Sequence, residues 1–175
     1  DNEGEDSYTK YYYGKYLDGE LMHDDSIPTN DTTVYKTAKG RRVYGGGGIH
    51  PDIFIPIDTV VTSRYFYNVR SYVPEFVYKY SSSHADFLSL YKTLESFDKD
   101  FVVNHALLNE FYNYALAAGL KRDAAKDVVI VARVKLALKA FMAKQQWRMS
   151  GYFYISNQDD KIVAEALKQL NKHSK

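Results

Sequence analysis

The sequence predicts a mainly α-helical protein in which a small β-hairpin precedes a multi-helix C-terminal bundle. Three observations predict this class. Apolar residues recur at helical spacing through most of the chain after Asp58. Residues that favour helix N-caps precede these segments. β-prone residues are concentrated in one short region, residues 32–57, which also holds four consecutive glycines.

The acidic first 31 residues are predicted to form one short helix and a polar loop. Ser7 is the predicted N-cap of the helix. Tyrosines recur there every four residues and therefore lie on one helical face: Tyr8, Tyr12 and Tyr16. The polar run at residues 24–31 predicts a loop.

The second region is predicted to contain the strands. The β-prone run from Thr33 to Thr37, a turn at Lys39–Gly40 and the segment Arg42–Tyr44 predict a hairpin. The apolar run Ile53–Ile57 is predicted to be a buried or edge strand that Pro56 ends. Because an isolated hairpin is marginal in water, we expect these strands to belong to a larger sheet.

Several short helices are predicted next. The first is capped by Thr62 or Ser63 and runs through Tyr72, and the second has Pro74 in its first turn and runs through Tyr80. A segment from His84 to Tyr91 is predicted to be capped by Ser83. A short helix is predicted to begin at Thr93–Phe97, and a strong helix capped by Asn104 runs to Ala118. Ser81–Ser83 are predicted to form a loop. Gly119 occupies the position that a helix C-cap favours.

The longest helix is predicted from about Asp123 to Met149. Its predicted apolar stripe consists of Val128, Val131, Ala132, Leu138, Phe141 and Met142. The helix is also basic, which fits a solvated face or a surface for anionic membrane or an acidic partner, and we favour the solvated face. Asp159 or Asp160 is predicted to cap the last helix, whose apolar residues follow helical spacing: Ile162, Val163, Ala166, Leu167 and Leu170.

Composition excludes some classes of function. The net charge of +1 gives no argument for nucleic acid or membrane as a bulk partner. The chain has no cysteine, which excludes disulfides, thiol catalysis and zinc–thiolate sites. Aromatic residues reach 15%, with 17 tyrosines, and their amphipathic rings suit either a helical core or a ligand surface.

No catalytic, cofactor-binding or metal-binding residue is predicted. The histidines show no metal-ligand spacing: His23, His50, His84, His105 and His173. The glycine run lacks the Lys-Ser or Lys-Thr pair of a phosphate-binding loop, and Pro51 blocks the helix that such a loop opens. Serines and lysines at dyad-like separations have unrelated neighbours, and the acidic pairs are typical of loops and caps.

One motif carries a family resemblance. The run Gly40-Arg41-Arg42-Val43-Tyr44-Gly45-Gly46-Gly47-Gly48-Ile49-His50-Pro51-Asp52 resembles the Gly-Arg-x-Val-Tyr-Gly-Gly-Gly-Gly-Ile-x-Pro-Asp run of carboxyl-terminal processing (tail-specific) serine peptidases. In that family the run follows the catalytic serine and lysine, near the end of the peptidase domain. The order of segments, with Ala106-Leu107-Leu108 and Trp147-Arg148-Met149-Ser150, is similar to the C-terminal third of the Bacteroidetes-type proteases.

The resemblance implies that residues 1–58 are the end of a peptidase core and residues 59–175 a helical C-terminal domain. The implied parent is a Ser-Lys endopeptidase of the cell envelope or periplasm, with an upstream PDZ domain. This chain contains neither the family's Gly-Ser-Ala-Ser-Ala-Ser-type stretch nor its Gly-Lys-Gly context. We therefore expect a non-catalytic region, inactive alone, that packs on the core and PDZ domain, self-associates, or gates access of protein substrates.

Two further hypotheses remain open. A peptide- or glycan-binding module would use the tyrosine-rich helices as a groove, and it predicts a contiguous exposed tyrosine cluster. A self-contained enzyme would need titratable residues that converge in one pocket.

Overall fold

The computed structural model describes residues 10, 14, 19–23, 33–38, 40, 42–44, 53–84 and 86–173, with Arg42, Tyr44 and His173 described by backbone alone. The protein is mainly helical, as the sequence predicts. The chain divides into two compact units, Asp1–Ile57 and Asp58–Lys175. The predicted domain boundary lies one residue further along, after residue 58.

The first unit contains the predicted hairpin. Strands β1 (Val34–Lys36) and β2 (Arg42–Tyr44) pair antiparallel, with Tyr35 opposite Val43. Gly40 has a φ of +78°, in the left-handed region that favours glycine, and its N–H donates to the Thr37 carbonyl at 2.8 Å. In the described part of the chain this sheet has two strands.

The predicted strand at Ile53–Ile57 is wrong, because the backbone there is irregular. Pro56 has no N–H to contribute to a ladder, and the Ile57 N–H donates to the Leu21 carbonyl at 3.0 Å. Of the predicted tyrosine helix, Lys10 and Gly14 are described and are helical. Its three tyrosines lie outside the described residues.

The second unit begins with helices α1 (Arg64–Ser71) and α2 (Val73–Ser83). The Ser63 hydroxyl accepts the Phe66 N–H at 3.2 Å, which makes Ser63 the N-cap. The predicted Ser81–Ser83 loop is wrong, because these serines form the last turn of α2. The Ser83 hydroxyl donates backwards to the Lys79 and Tyr80 carbonyls, so it does not cap a following helix. The predicted His84–Tyr91 segment is reduced to a 3₁₀ turn, Leu88–Leu90.

The next two helices begin where predicted, and the predicted Asn104 cap is confirmed. Helix α3 (Leu94–Asp100) starts with a capping box formed by Thr93 and Ser96. Helix α4 (His105–Ala117) starts where the Asn104 side chain accepts the Leu107 N–H at 2.9 Å. Gly119, with a φ of +100°, ends it in a Schellman motif in which the Leu120 N–H donates to the Ala115 carbonyl.

Helix α5 (Ala124–Ser156) reverses direction at Arg148, which has a φ of 55° and a ψ of −143°. The Arg133 guanidinium pairs with Asp159, 26 positions later, which a straight helix would hold about 39 Å apart. The Tyr152 and Phe141 ring centroids are 5.2 Å apart. Residues 149–156 therefore fold back along the preceding segment, and the break coincides with the predicted helix end.

A 3₁₀ turn (Asn157–Asp159) then leads into helix α6 (Lys161–His173). The Asp160 carboxylate accepts the N–H groups of Ile162 and Val163, so Asp160 is the cap. The spacing of apolar residues in α6 is helical as predicted, but the side chains are largely exposed, for example Ile162 at 61% and Leu167 at 55%. No helix in the described part of the chain combines the length and apolar character that crossing a bilayer requires.

The core lies where α5 packs against α1, α2 and α3. The buried face of α5 is Ile130, Val134, Leu138 and Met142. The predicted stripe is thus partly wrong, because Val128 is 76% exposed and Ala132 is also exposed. Residues 128–131 are all apolar, so periodicity alone did not identify the face that α2 covers.

An ion cluster joins the start of the second unit to its last turns. The Arg133 guanidinium donates to the Asp58 carboxylate at 2.5 Å and also pairs with Asp159. Burial raises the pKa of the Asp58 carboxyl, but the Val60 N–H and the Arg133 charge together hold it below its ordinary value. The ionised form of Asp58 is therefore favoured in the folded state.

We expect Asp58→Asn to lower the free energy of unfolding at neutral pH by about 1 kcal/mol. Because the folded-state pKa is lowered, the stabilisation is present above the unfolded carboxyl's pKa and is lost as pH falls through the folded pKa. Denaturant melts from pH 7 to pH 2 should show the gap between the two proteins closing below about pH 4. The exposed Asp86→Asn is the control, and a gap that stays constant at all pH values would contradict the assignment.

Candidate functional site

A pocket of about 390 Å³ opens between the end of α2, the segment that follows it, the end of α3 and the start of α4. We call it the aromatic–acidic pocket. Its lining includes four aromatic residues and two acidic residues: Tyr80, Phe87, Tyr91, Phe101, Asp100 and Glu110. The volume falls in the lower part of the range typical of small-ligand sites.

The rings of the pocket hold one another in place. The Phe87 ring meets Tyr80 and Phe101 edge to face, at centroid distances of 5.9 and 5.1 Å. Phe101 stacks on the buried Phe97 at 4.8 Å, and Tyr91 meets Phe97 at 5.2 Å. Because Phe97 belongs to the core, the aromatic wall is fixed by the packing of the bundle.

Local hydrogen bonds fix the positions of the backbone segments that carry these rings. The capping box at Thr93 fixes the start of α3, and the Phe101 N–H closes its last turn on the Phe97 carbonyl at 2.9 Å. The 3₁₀ turn between Phe87 and Tyr91 brings both rings to the same side as Phe101. The Gln146 side chain of α5 donates to the Tyr91 carbonyl at 3.0 Å, which ties this segment to the bundle.

The pocket carries negative charge. Among the described residues, no hydrogen bond or ion pair engages the carboxylate of Asp100 or of Glu110, and the lining contains no basic side chain. Burial, and then the Glu110 charge, raise the pKa of the Tyr80 hydroxyl. The side-chain amide oxygen of Asn104 already accepts the Leu107 N–H.

The residues of the pocket suit a ligand that makes apolar contacts and donates hydrogen bonds. The described residues that line it include no serine, lysine or histidine. In the described part of the chain, no three His, Asp or Glu side chains are grouped as metal ligands.

A second cluster of titratable groups surrounds Asp127, whose side chain is buried at the start of α5. The Tyr65 hydroxyl donates to its Oδ1 at 2.7 Å, and the Arg122 Nε donates to its Oδ2 at 2.5 Å. The Tyr65 oxygen also accepts the Asp123 N–H at 2.9 Å. The Arg122 guanidinium lies 4.1 Å from the centre of the Tyr112 ring.

The Asp127 cluster acts as a structural tie between α1, α4 and α5. The Tyr112 hydroxyl is buried without a hydrogen-bond partner among the described residues. Burial and the nearby Asp127 raise its pKa well above the ordinary value for tyrosine. The cluster was missed at the level of sequence, although Asp127 sits three positions before Ile130 on the buried face of α5.

Most of the family-motif residues lie outside the described part of the chain. Gly40 turns the hairpin, Val43 is half-buried in β2, and Tyr44 is described by backbone alone. The remaining motif residues lie outside the described residues: Arg41, Gly45, Gly46, Gly47, Gly48, Ile49, Pro51 and Asp52.

The other residues singled out in the sequence are dispersed. His23 and His105 are exposed on separate segments, whereas the exposed His84 ring stacks on the pocket residue Tyr80 at a centroid distance of 4.2 Å. Three exposed tyrosines lie on three different helical segments: Tyr67 at 57%, Tyr78 at 65% and Tyr154 at 42%. Tyr80 and Tyr91, which contact other rings, are half-buried and line the pocket.

The second unit therefore defines a class, an α-helical bundle that carries an aromatic–acidic pocket. Residues 65–148 match a family described as a family of unknown function (DUF8443). The matched segment runs from the first turn of α1 to the break in α5 and includes every pocket residue. No curated protein and no solved structure matches the chain.

Proposed function

We propose that this chain is the C-terminal, non-catalytic region of a carboxyl-terminal processing serine endopeptidase. The observation that carries the proposal is the run Gly40–Asp52, which resembles the family's motif at every fixed position. The helical unit that follows it in the sequence, Asp58–Lys175, is the appended domain in this proposal.

The role proposed for the helical unit is packing on the peptidase core, self-association, or gating of substrate access. Its own core supports an independently packed domain, because fully buried side chains come from α1 through α5. The exposed apolar side chains of α6 offer area for contact with the peptidase core. The Ser-Lys dyad, the PDZ domain, protein substrates and a place in the cell envelope or periplasm belong to the proposed parent.

The coding sequence upstream of Asp1 tests this proposal. We expect it to encode a small-residue Gly-Ser-Ala-Ser-Ala-Ser-type stretch and, about two dozen residues later, a lysine between glycines, because a Ser-Lys nucleophile needs both groups. The purified chain should not hydrolyse unstructured peptides. An upstream region without these stretches, or hydrolysis by this chain that one serine substitution abolishes, would overturn the proposal.

The aromatic–acidic pocket favours a second candidate, a helical peptide- or glycan-binding module. The pocket combines rings for stacking with two unpaired acceptors, as ligand sites commonly do. This candidate requires binding by the chain itself, with no catalytic domain attached. Direct titration of peptides and oligosaccharides distinguishes a binding module, which binds one of them, from a domain with only a structural role, which binds neither.

A further inference from the structure

We propose that the aromatic–acidic pocket binds an organic cation, the ammonium or guanidinium group of a lysine or arginine side chain in a peptide. The inference deepens the second candidate function by naming the ligand chemistry. It concerns this chain alone and does not depend on the peptidase assignment.

The rings of the pocket supply the first half of the argument. The face of an aromatic ring attracts a cation that lies within about 6 Å of its centre. Tyr80, Phe87, Tyr91 and Phe101 surround the same space, and their mutual edge-to-face contacts hold them there without a ligand. Because these side chains are already ordered, binding of a cation loses little conformational entropy in the protein.

The carboxylates supply the second half. Asp100 and Glu110 both line the pocket, and the described lining residues include no lysine, arginine or histidine. Burial, and then the charge of the nearby Glu110, raise the pKa of the Tyr80 hydroxyl. The two negative charges repel anionic ligands such as phosphate. A neutral sugar gains no electrostatic attraction from the negative charge of the pocket.

The described residues show the same combination three times with the protein's own cations. Asp123 pairs with Lys126 at 2.9 Å, and the Lys126 ammonium lies 5.7 Å from the centre of the Tyr65 ring. Glu75 pairs with Lys79 at 2.8 Å, and the Lys79 ammonium lies 5.0 Å from the centre of the Tyr114 ring. Asp127 pairs with Arg122, whose guanidinium covers the Tyr112 ring. The pocket has acidic and aromatic residues as in these three arrangements, and none of the described residues that line it is a lysine or arginine. The His84 ring stacks on Tyr80 at a centroid distance of 4.2 Å, which leaves Phe87 and Tyr91 as the other rings at the pocket's exposed side. A ligand cation completes the same triad.

Three blocked tripeptides test the proposal by isothermal titration. They carry lysine, arginine or norleucine at the centre, and norleucine keeps the length of the lysine side chain without its charge. We expect the lysine and arginine peptides to bind and the norleucine peptide to bind at least about tenfold more weakly, a difference of about 1.4 kcal/mol. Free spermidine is titrated in parallel. Tighter binding of spermidine would identify a free polyamine, instead of a peptide side chain, as the source of the cation.

Two shape-preserving substitutions locate the site. The double variant Asp100→Asn/Glu110→Gln should weaken binding of the lysine peptide about tenfold or more. The exposed Glu95→Gln on α3 lies outside the pocket lining and should leave binding unchanged. Thermal melts of each variant establish that the fold is retained.

Four outcomes would overturn the inference. They are no binding of any cationic probe, equal binding of the norleucine peptide, unchanged affinity in a folded double variant, and binding of chitotriose alone. The last outcome would leave a glycan-binding module in place of a cation site. None of these results bears on the peptidase proposal, which the upstream coding sequence tests separately.

Discussion

Replacing Phe97 with alanine is expected to lower the free energy of unfolding of the helical unit by about 3–5 kcal/mol. The Phe97 side chain is fully buried, stacks on Phe101 at 4.8 Å and lies 5.4 Å from the Trp147 ring. Its removal deletes apolar contacts with Tyr91, Phe101 and Trp147 and leaves a cavity in the core. The same change takes away the support of the aromatic wall of the pocket.

Urea denaturation followed by tryptophan fluorescence measures this effect, because Trp147 is the chain's single tryptophan and borders the deleted ring. The control is Leu90→Ala, at a side chain that is 74% exposed, and its expected effect is within about 0.5 kcal/mol. A loss below about 1 kcal/mol for Phe97→Ala would mean that this ring is not packed in the core as described. Phe97→Ala should also bind the lysine peptide more weakly, because the Phe97 ring supports the aromatic side chains of the pocket.

Gly151→Ala is expected to destabilise the helical unit by about 1–3 kcal/mol. A Cβ atom at Gly151 would lie 2.7 Å from the Ala143 carbonyl oxygen and 2.8 Å from the Trp147 Cβ. Both neighbours are backbone or close to it, so neither can rotate away. The sign is diagnostic, because glycine to alanine inside an ordinary helix stabilises by about 1 kcal/mol.

Gly14→Ala is the matched control for Gly151→Ala. Gly14 is also helical, and an added Cβ there meets no atom within 4 Å. Thermal and urea melts should show no loss of stability for Gly14→Ala and a clear loss for Gly151→Ala. A stabilising effect of Gly151→Ala would contradict the close approach of residues 149–156 to the preceding segment, and with it the reversal at Arg148.

The elements that could be predicted are those that adjacent residues specify. Ser63, Asn104 and Gly119 fix helix ends because their side chains, or the lack of one, act on backbone within a few positions. The hairpin follows for the same reason, since Gly40 allows the turn between two β-prone runs. The predicted loop at Ser81–Ser83 was wrong because a serine hydroxyl can donate to a carbonyl of the preceding helical turn as well as cap the next helix.

The aromatic–acidic pocket could not be predicted in this way. Its rings come from segments between Tyr80 and Phe101, and its second carboxylate, Glu110, comes from another helix. The Asp127 cluster joins residues 62 positions apart, Tyr65 and Asp127. The sequence does contain the residue types, but only packing decides which of 17 tyrosines meet a carboxylate and which face water.

By itself, the sequence determined that this is a mainly helical protein with a short hairpin, and where several of its helices begin and end. These properties depend on local hydrogen bonds and on backbone conformations that one or two residues permit. The tertiary structure alone decided which face of α5 is buried, that α5 turns back at Arg148, and that rings and acids converge in one pocket. Those features depend on the free energy of contacts between distant parts of the chain, which no short run of residues encodes.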